Sequence, residues 1–169
     1  AAMQEMIEQI TSGHQYRNYE TSAFAQAGKE SRHNMNYWLF GDYVGIGAGA
    51  HSKISFADRI VRQMRYKQPK EYLAKAKAAE SLIQAQHVLI PEDRGFEFMM
   101  NALRLTGGFE TSLFQERTGL PISAIKKPLD EAEQRLLIVR NNLHINPTVL
   151  GRRFLNDLLQ IFLPEANSQ

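Results

Sequence analysis

Hydrophobic positions in the first third of the chain change between helical and extended spacing. Residues 1–11 predict a helix that ends at Gly13. Its apolar face consists of Met3, Met6, Ile7 and Ile10. Residues 14–25 alternate loosely and predict a short strand leading into a loop, and residues 43–46 have the composition of a buried strand. This succession is typical of the end of a larger α/β layer, because so few strands do not form one alone.

From residue 56 onward the pattern predicts a mainly helical chain. Residues 56–66 and residues 69–89 both show helical spacing, with an interruption at Pro69. Residues 91–108 predict the clearest helix, which has acidic residues in its first turn and a glycine pair at its end. Its predicted apolar face consists of Phe96, Met99, Met100 and Leu103.

Capping signals divide the rest of the chain. A short helix is predicted to end at Gly119, and the next helix to begin at a capping box formed by Asp130 and Glu133. Thr148 is predicted to cap a final helix that continues until Pro164.

Two apolar runs before that last helix flank Asn141 and Asn142. They predict a β-hairpin with a two-residue turn, because asparagine tolerates positive φ. Helices followed by a hairpin predict a winged-helix-like arrangement, and the chain as a whole is predicted to be α+β.

Composition excludes several classes of protein. The chain has 169 residues, 43% of them hydrophobic, which is typical of one soluble domain with room for a small second one. It has no cysteine, so it forms neither disulfides nor thiolate metal sites. No secretory signal and no apolar stretch long enough to span a bilayer are found, which predicts a cytoplasmic location.

Charge is concentrated in one segment. The net charge is +2, but residues 52–80 hold eight basic and three acidic residues. Such a segment can attract a phosphate, a propionate or a nucleic acid, or it can simply face water.

The glycine-rich segment contains Gly45, Gly47 and Ala50, which satisfy the G-x-G-x-x-A pattern of dinucleotide-binding loops. That pattern also requires a following helix, which the next residues do not favour. The glycines therefore predict a close approach of the backbone either to a ligand or to a neighbouring chain segment.

None of the five histidines pairs with another at helical spacing, so the sequence does not support a zinc or di-iron site. His33 lies among side chains that can hydrogen-bond, stack on a planar ring and contact an anion, and imidazole is a common axial ligand of haem iron. These neighbours are Arg32, Asn34, Asn36, Tyr37 and Trp38. The alternative for Tyr37 and Trp38 is an aromatic pair in the core.

Residues 19–51 closely resemble the HemW-type haem chaperones, radical-SAM proteins often labelled as oxygen-independent coproporphyrinogen III oxidase-like. The resemblance continues through residues 97–105 and 114–120 to residues 152–163, and its most specific part is the H-N-x-x-Y-W motif that begins at His33.

The resemblance implies three segments. Residues 1–55 would be the last elements of a radical-SAM barrel, residues 56–90 a helical connector, and residues 91–169 a mainly helical, winged-helix-like domain with a β-hairpin. The family's [4Fe–4S] cluster is held by a CxxxCxxC motif beside S-adenosylmethionine. Because this chain has no cysteine, both cofactors are expected only in the full-length parent, and radical-SAM catalysis by this chain alone is not expected.

The resemblance also implies a function. HemW-type proteins bind haem and pass it to haem-requiring proteins such as respiratory enzymes, some of them membrane-associated. His33 would ligate the haem iron, with Asn34, Tyr37 and Trp38 nearby. Four residues would border the S-adenosylmethionine cavity: Gly47, Gly49, Ala50 and His51. Apolar surface that the barrel would have buried is expected to favour a homodimer or domain swapping.

Three alternatives stay open at this stage. The parent could decarboxylate coproporphyrinogen III. Residues 92–162 could form a winged helix that binds nucleic acid, but residues 81–169 are slightly acidic, so no nucleic-acid partner is expected. The C-terminal domain could also have a purely structural role, covering the barrel or docking a recipient.

Overall fold

The computed structural model describes residues 2–164, apart from the side chains of residues 2 and 4. Of these, residues 2–40 and 95–164 form one compact unit, and residues 41–94 form the other. In chain order the elements are α1 (Ala2–Gly13), β1 (Arg17–Glu20), β2 (Ala23–Ala25), α2 (Arg32–Trp38), β3 (His51–Ser55), β4 (Ile60–Arg65), α3 (Pro69–Lys77), β5 (Ile83–Val88), α4 (Pro91–Ala102), β6 (Phe109–Glu110), α5 (Thr111–Thr118), a 3-10 helix (Ile122–Ile125), α6 (Lys126–Gln134), β7 (Ile138–Arg140), β8 (His144–Pro147), α7 (Val149–Arg153) and α8 (Leu155–Gln160).

The predicted α+β class is confirmed, since the strands of the described residues pair into small antiparallel sheets among the helices. In the first unit β1 pairs with β2, and a second sheet has the order β6-β8-β7. The other unit has one sheet, of order β3-β4-β5. No helix in the described part of the chain is both long and apolar enough to cross a membrane.

The core of the first unit is built around Phe98 of α4, which has no exposed surface. Three other rings pack edge to face with the Phe98 ring. The distances between ring centroids are 5.8 Å for Phe40, 5.0 Å for Phe109 and 5.2 Å for Phe114. The predicted apolar face of α4 is partly wrong, because Phe98 rather than Phe96 is fully buried and Met100 is 38% exposed.

The N-terminal predictions hold for α1, but its apolar face does not pack in a core: Met3, Met6, Ile7 and Ile10 are all exposed. Residues 14–25 form the hairpin of β1 and β2 rather than one strand and a loop. The buried strand predicted at residues 43–46 is wrong. Only Tyr43 makes a β-bridge there, to Lys53, and Ile46 is 88% exposed.

The largest error in the secondary structure concerns residues 56–90. The predicted helix at residues 56–66 is β4, and residues 69–89 contain α3 followed by β5, so this segment is not a helical connector. The apolar spacing fits a helix, but pairing on both sides with β3 and β5 gives the backbone of β4 its hydrogen bonds. Tertiary pairing therefore overrides the local pattern.

The predicted capping box is also wrong. Helix α6 begins at Lys126, so Asp130 lies inside the helix. Its carboxylate accepts hydrogen bonds from Lys126 and Arg140, which hold the pKa of Asp130 below its usual value. Glu133 accepts a bond from Arg140 as well, at 3.0 Å. These charges fasten α6 to β7 instead of capping the helix.

The hairpin of β7 and β8 is confirmed, with Arg140 opposite Ile145. Positive φ at asparagine does not explain its turn, because neither Asn141 nor Asn142 adopts it. Instead the Asn141 side-chain oxygen accepts hydrogen bonds from the amides of Leu143 and His144, both at 2.8 Å.

Two predicted caps are confirmed. Gly119 ends α5 in the left-handed conformation, and the Thr148 hydroxyl accepts a bond of 3.0 Å from the amide of Gly151. The final helix is not continuous until Pro164, since it divides into α7 and α8 at Phe154.

Candidate functional site

The H-N-x-x-Y-W motif forms the short helix α2, which the pattern of the sequence did not predict. Ser31 is the N-cap, and its hydroxyl accepts a hydrogen bond of 3.3 Å from the amide of Asn34. Leu39 ends the helix, and Phe40 follows in the left-handed conformation with its side chain buried. The motif residues are thus fixed on a helix of about two turns.

His33 and Tyr37 lie one turn apart on the same face of α2. Their rings meet edge to face, with 4.8 Å between the centroids and 69° between the planes. The His33 side chain is exposed, and Tyr37 is half-buried. In residues 2–164 no group of three or more His, Asp or Glu side chains is arranged to hold a metal ion, so His33 could contribute a single ligand.

Asn34 and Trp38 also lie one turn apart, on a face about 100° around the helix from His33 and Tyr37. The guanidinium of Arg104 stacks over the Trp38 ring at 4.4 Å from its centroid. The indole nitrogen of Trp38 is buried without a hydrogen-bond partner among the described residues. The motif therefore presents two different surfaces, one with an accessible imidazole and one covered by arginine.

The second predicted set of residues lies in the other compact unit, in and after the glycine-rich loop. Gly47 and Gly49 have φ values of 102° and 73°, which favour glycine, and the amide of Gly49 donates to the carbonyl of Tyr66 at 2.8 Å. Ala50 accepts from the amide of Arg65, and His51 begins β3. Strand β3 follows where the dinucleotide pattern requires a helix, so that weak match is not supported.

Gly45 is the glycine at which the chain approaches itself most closely in this loop. A Cβ atom there would lie 2.2 Å from the carbonyl oxygen of His51. The sequence predicted that the backbone at these glycines approaches either a ligand or a neighbouring chain segment. At Gly45 it approaches a neighbouring chain segment. The Ser52 hydroxyl accepts from the amide of Gly45 at 2.9 Å, and the Arg65 Nε donates to its carbonyl at 3.4 Å.

We expect Gly45→Ala to lower the free energy of unfolding by about 2–3 kcal/mol, because the methyl group meets backbone that must move. Urea denaturation measures this loss. Gly107→Ala is the control, since nothing lies within 4 Å of a Cβ atom there and its φ is not positive. Equal losses in the two variants would show that the close contact at Gly45 does not constrain the loop.

An ion pair between a buried lysine and a partly exposed aspartate, which sequence reasoning missed, supports the same loop. The Lys53 side chain is 1% exposed, and its ammonium donates to Asp42 Oδ1 at 2.9 Å and to the Ser55 hydroxyl at 3.0 Å. Burial raises the pKa of Asp42, but hydrogen bonds from the Ser55 amide and from Lys53 outweigh it and hold that pKa below its usual value. No local pattern indicates a pair eleven residues apart.

Comparisons with known proteins agree with this fold. Residues 89–154 match the family described as HemN C-terminal domain. The chain is 43% identical to Heme chaperone HemW of Haemophilus influenzae, over 97% of this chain and 43% of that protein. It is 37% identical to Heme chaperone HemW of Escherichia coli, over 95% of this chain and 42% of that protein.

A solved structure of coproporphyrinogen III oxidase (HemN) from Escherichia coli, a radical SAM enzyme, matches with a TM-score of 0.67. It is 16% identical, with 95% of this chain and 39% of that chain covered, and at this identity the likeness shows the fold alone. In class, the chain is therefore a HemN-like α+β protein. Over nearly its whole length it is similar in sequence to proteins named heme chaperone HemW, and it spans less than half the length of the curated relatives it matches.

Proposed function

We propose that this chain is part of a cytoplasmic haem chaperone, which binds haem and delivers it to haem-requiring proteins such as respiratory enzymes. The observation that carries the proposal is the sequence identity to proteins named heme chaperones, which extends over nearly the whole chain. The accessible imidazole on α2 supports it.

In this proposal His33 would hold the haem iron through its imidazole. Bound haem would supply iron with a coordination position that a neutral imidazole can fill. The edge-to-face contact between the Tyr37 and His33 rings would limit the rotation of the imidazole. Arg104 already covers Trp38, so we assign Trp38 the role of fixing α2 rather than that of stacking on the porphyrin, and Asn34 lies on the same face of the helix.

The other family cofactors are assigned to the complete protein. Without cysteine, this chain has no thiolates for a [4Fe–4S] cluster. We propose that Gly47, Gly49, Ala50 and His51 border the cavity for S-adenosylmethionine at the end of a partial barrel. Residues 91–169 would then form the winged-helix-like domain, and a homodimer remains part of the proposal.

A haem titration of the chain followed by its Soret spectrum tests the assignment of His33. We expect His33→Ala to weaken binding at least about tenfold and to change the Soret band, because the iron loses its imidazole ligand. His14→Ala is the matched control, since His14 is also an exposed histidine of the same unit.

Unchanged affinity and spectrum in His33→Ala would remove His33 from the proposal. Absence of binding in the unsubstituted chain would mean that these residues do not suffice for haem binding. Equal effects of the two substitutions would indicate nonspecific ligation by surface histidines.

A further inference from the structure

Strand β5 is an open edge of the sheet in the unit formed by residues 41–94. It pairs with β4 on one side, and no strand of the described residues pairs with its other side. Five of its six residues are exposed, from Gln84 to Val88. The opposite edge is different, because Tyr43 forms a β-bridge to Lys53 of β3.

The register shows which backbone groups β5 offers. The amide of Leu89 donates to the carbonyl of Ile60, so the backbone N–H and C=O groups of Leu89 point toward β4. In the residues before Leu89, these groups point alternately toward the open side and toward β4. The backbone N–H and C=O groups of Ala85 and His87 point toward β4. Gln86 and Val88 therefore direct their N–H and C=O groups away from the sheet, in the arrangement that an added strand would bond.

Nothing in the sequence of β5 blocks such pairing. Natural sheets protect their edges with charged residues or proline, and β5 has the sequence Ile-Gln-Ala-Gln-His-Val. The bulge, between Met64 and Arg65, is opposite the first residues of β5 and leaves Ala85 to Val88 regular. An edge of this kind is used by proteins that bind an extended peptide as an additional strand.

The charge of the segment that contains this edge indicates the kind of partner. Residues 60–88 contain six basic and two acidic residues. Three exposed lysines of this segment form no ion pair in the described part of the chain, Lys67, Lys70 and Lys77. Lys67 is held at the start of β5, because its amide donates to the side chain of Gln84 at 3.1 Å. A second copy of the chain would bring the same positive excess to the edge.

We propose that the open edge of β5 binds an extended acidic segment of a partner protein as a fourth strand of this sheet. The backbone of Gln86 and Val88 would form the ladder, and Lys67 at the start of the strand, within a basic segment, would attract the acidic side chains. The inference does not depend on haem binding, because every residue involved lies in residues 41–94.

The test uses a labelled nine-residue peptide of alternating valine and glutamate, titrated against the 169-residue chain by fluorescence anisotropy. Gln86→Pro removes the outward N–H, while Gln86→Thr keeps it, and both lose the bond from Gln63 to the Gln86 side chain. We expect Gln86→Thr to bind within about twofold of the unsubstituted chain and Gln86→Pro about tenfold more weakly. Added salt should also weaken binding.

Hydrogen exchange on the unsubstituted chain tests the same point without relying on a folded proline variant. The peptide is expected to slow exchange at the amides of Gln86 and Val88 and to leave that of Ala85, which already faces β4, unchanged.

Three results would overturn the proposal. One is the absence of saturable binding. Another is equal binding of a peptide in which lysine replaces glutamate. The third is a concentration-dependent dimer, seen by sedimentation velocity, that Gln86→Pro abolishes, because it would assign the edge to a second copy.

Discussion

Phe98→Ala is expected to lower the free energy of unfolding by about 4 kcal/mol, because truncating a fully buried phenylalanine removes its transfer free energy and leaves a cavity. The cavity would lie among three other aromatic rings, which lose their edge-to-face contacts with Phe98. Urea denaturation followed by circular dichroism measures the change.

Phe154→Ala provides the matched control. Phe154 belongs to the same unit but is 50% exposed, so its truncation is expected to cost less than about 1 kcal/mol. If the two variants lost the same stability, Phe98 would not be the centre of the core.

Asp42→Asn is expected to lower the free energy of unfolding by about 3 kcal/mol at neutral pH. It leaves the buried Lys53 ammonium without a carboxylate, and the new amide group adds a donor where Lys53 and Ser55 both donate. This value is at the lower end of the usual range, because the Asp42 side chain is 45% exposed. Hydrogen exchange of the amides in β3 and β4 locates the loss.

The effect should depend on pH with a definite sign. Because folding lowers the pKa of Asp42, the carboxylate stabilises the folded state above the pKa of the unfolded chain. That contribution is lost as the pH falls through the folded pKa. The stability difference between Asp42→Asn and the unsubstituted chain is therefore expected to be complete above about pH 5 and to shrink below about pH 4.

Lys53→Met separates the charge from the packing. Methionine keeps much of the buried stem and removes the ammonium, and Asp42 keeps its hydrogen bond from the Ser55 amide at 2.9 Å. A loss of less than about 1 kcal/mol is expected. If Lys53→Met were as damaging as Asp42→Asn, the uncompensated charge would not be the cause.

Local signals predicted several parts of the fold correctly. Gly119 and Thr148 mark helix boundaries because their effect depends on the nearest turn of backbone alone. The hairpin at residues 138–147 was predicted for the same reason, although its turn is stabilised by the Asn141 side chain and not by positive φ.

Residues 56–66 could not be assigned correctly from their own pattern. Their apolar spacing fits a helix, but β4 occupies the middle of a sheet whose other strands come from residues before and after it. The spacing of apolar residues within one segment does not show that the segment pairs with β3 and β5.

The candidate site was only partly accessible from sequence. The motif predicted a functional role for His33. It did not show that Trp38 lies on another face of α2, or that Arg104, 66 positions further along the chain, covers Trp38. Lys53 and Asp42 carried no recognisable motif at all.

The sequence by itself determined the α+β class, some of the helix ends, the absence of cysteine chemistry and the resemblance that the comparisons confirm, because each depends on local spacing, composition or a contiguous motif. The tertiary structure alone decided the strand at β4, the two faces of α2, the buried Lys53 and the open edge of β5. All four depend on contacts between residues distant in the chain, whose burial and hydrogen bonds no local pattern records.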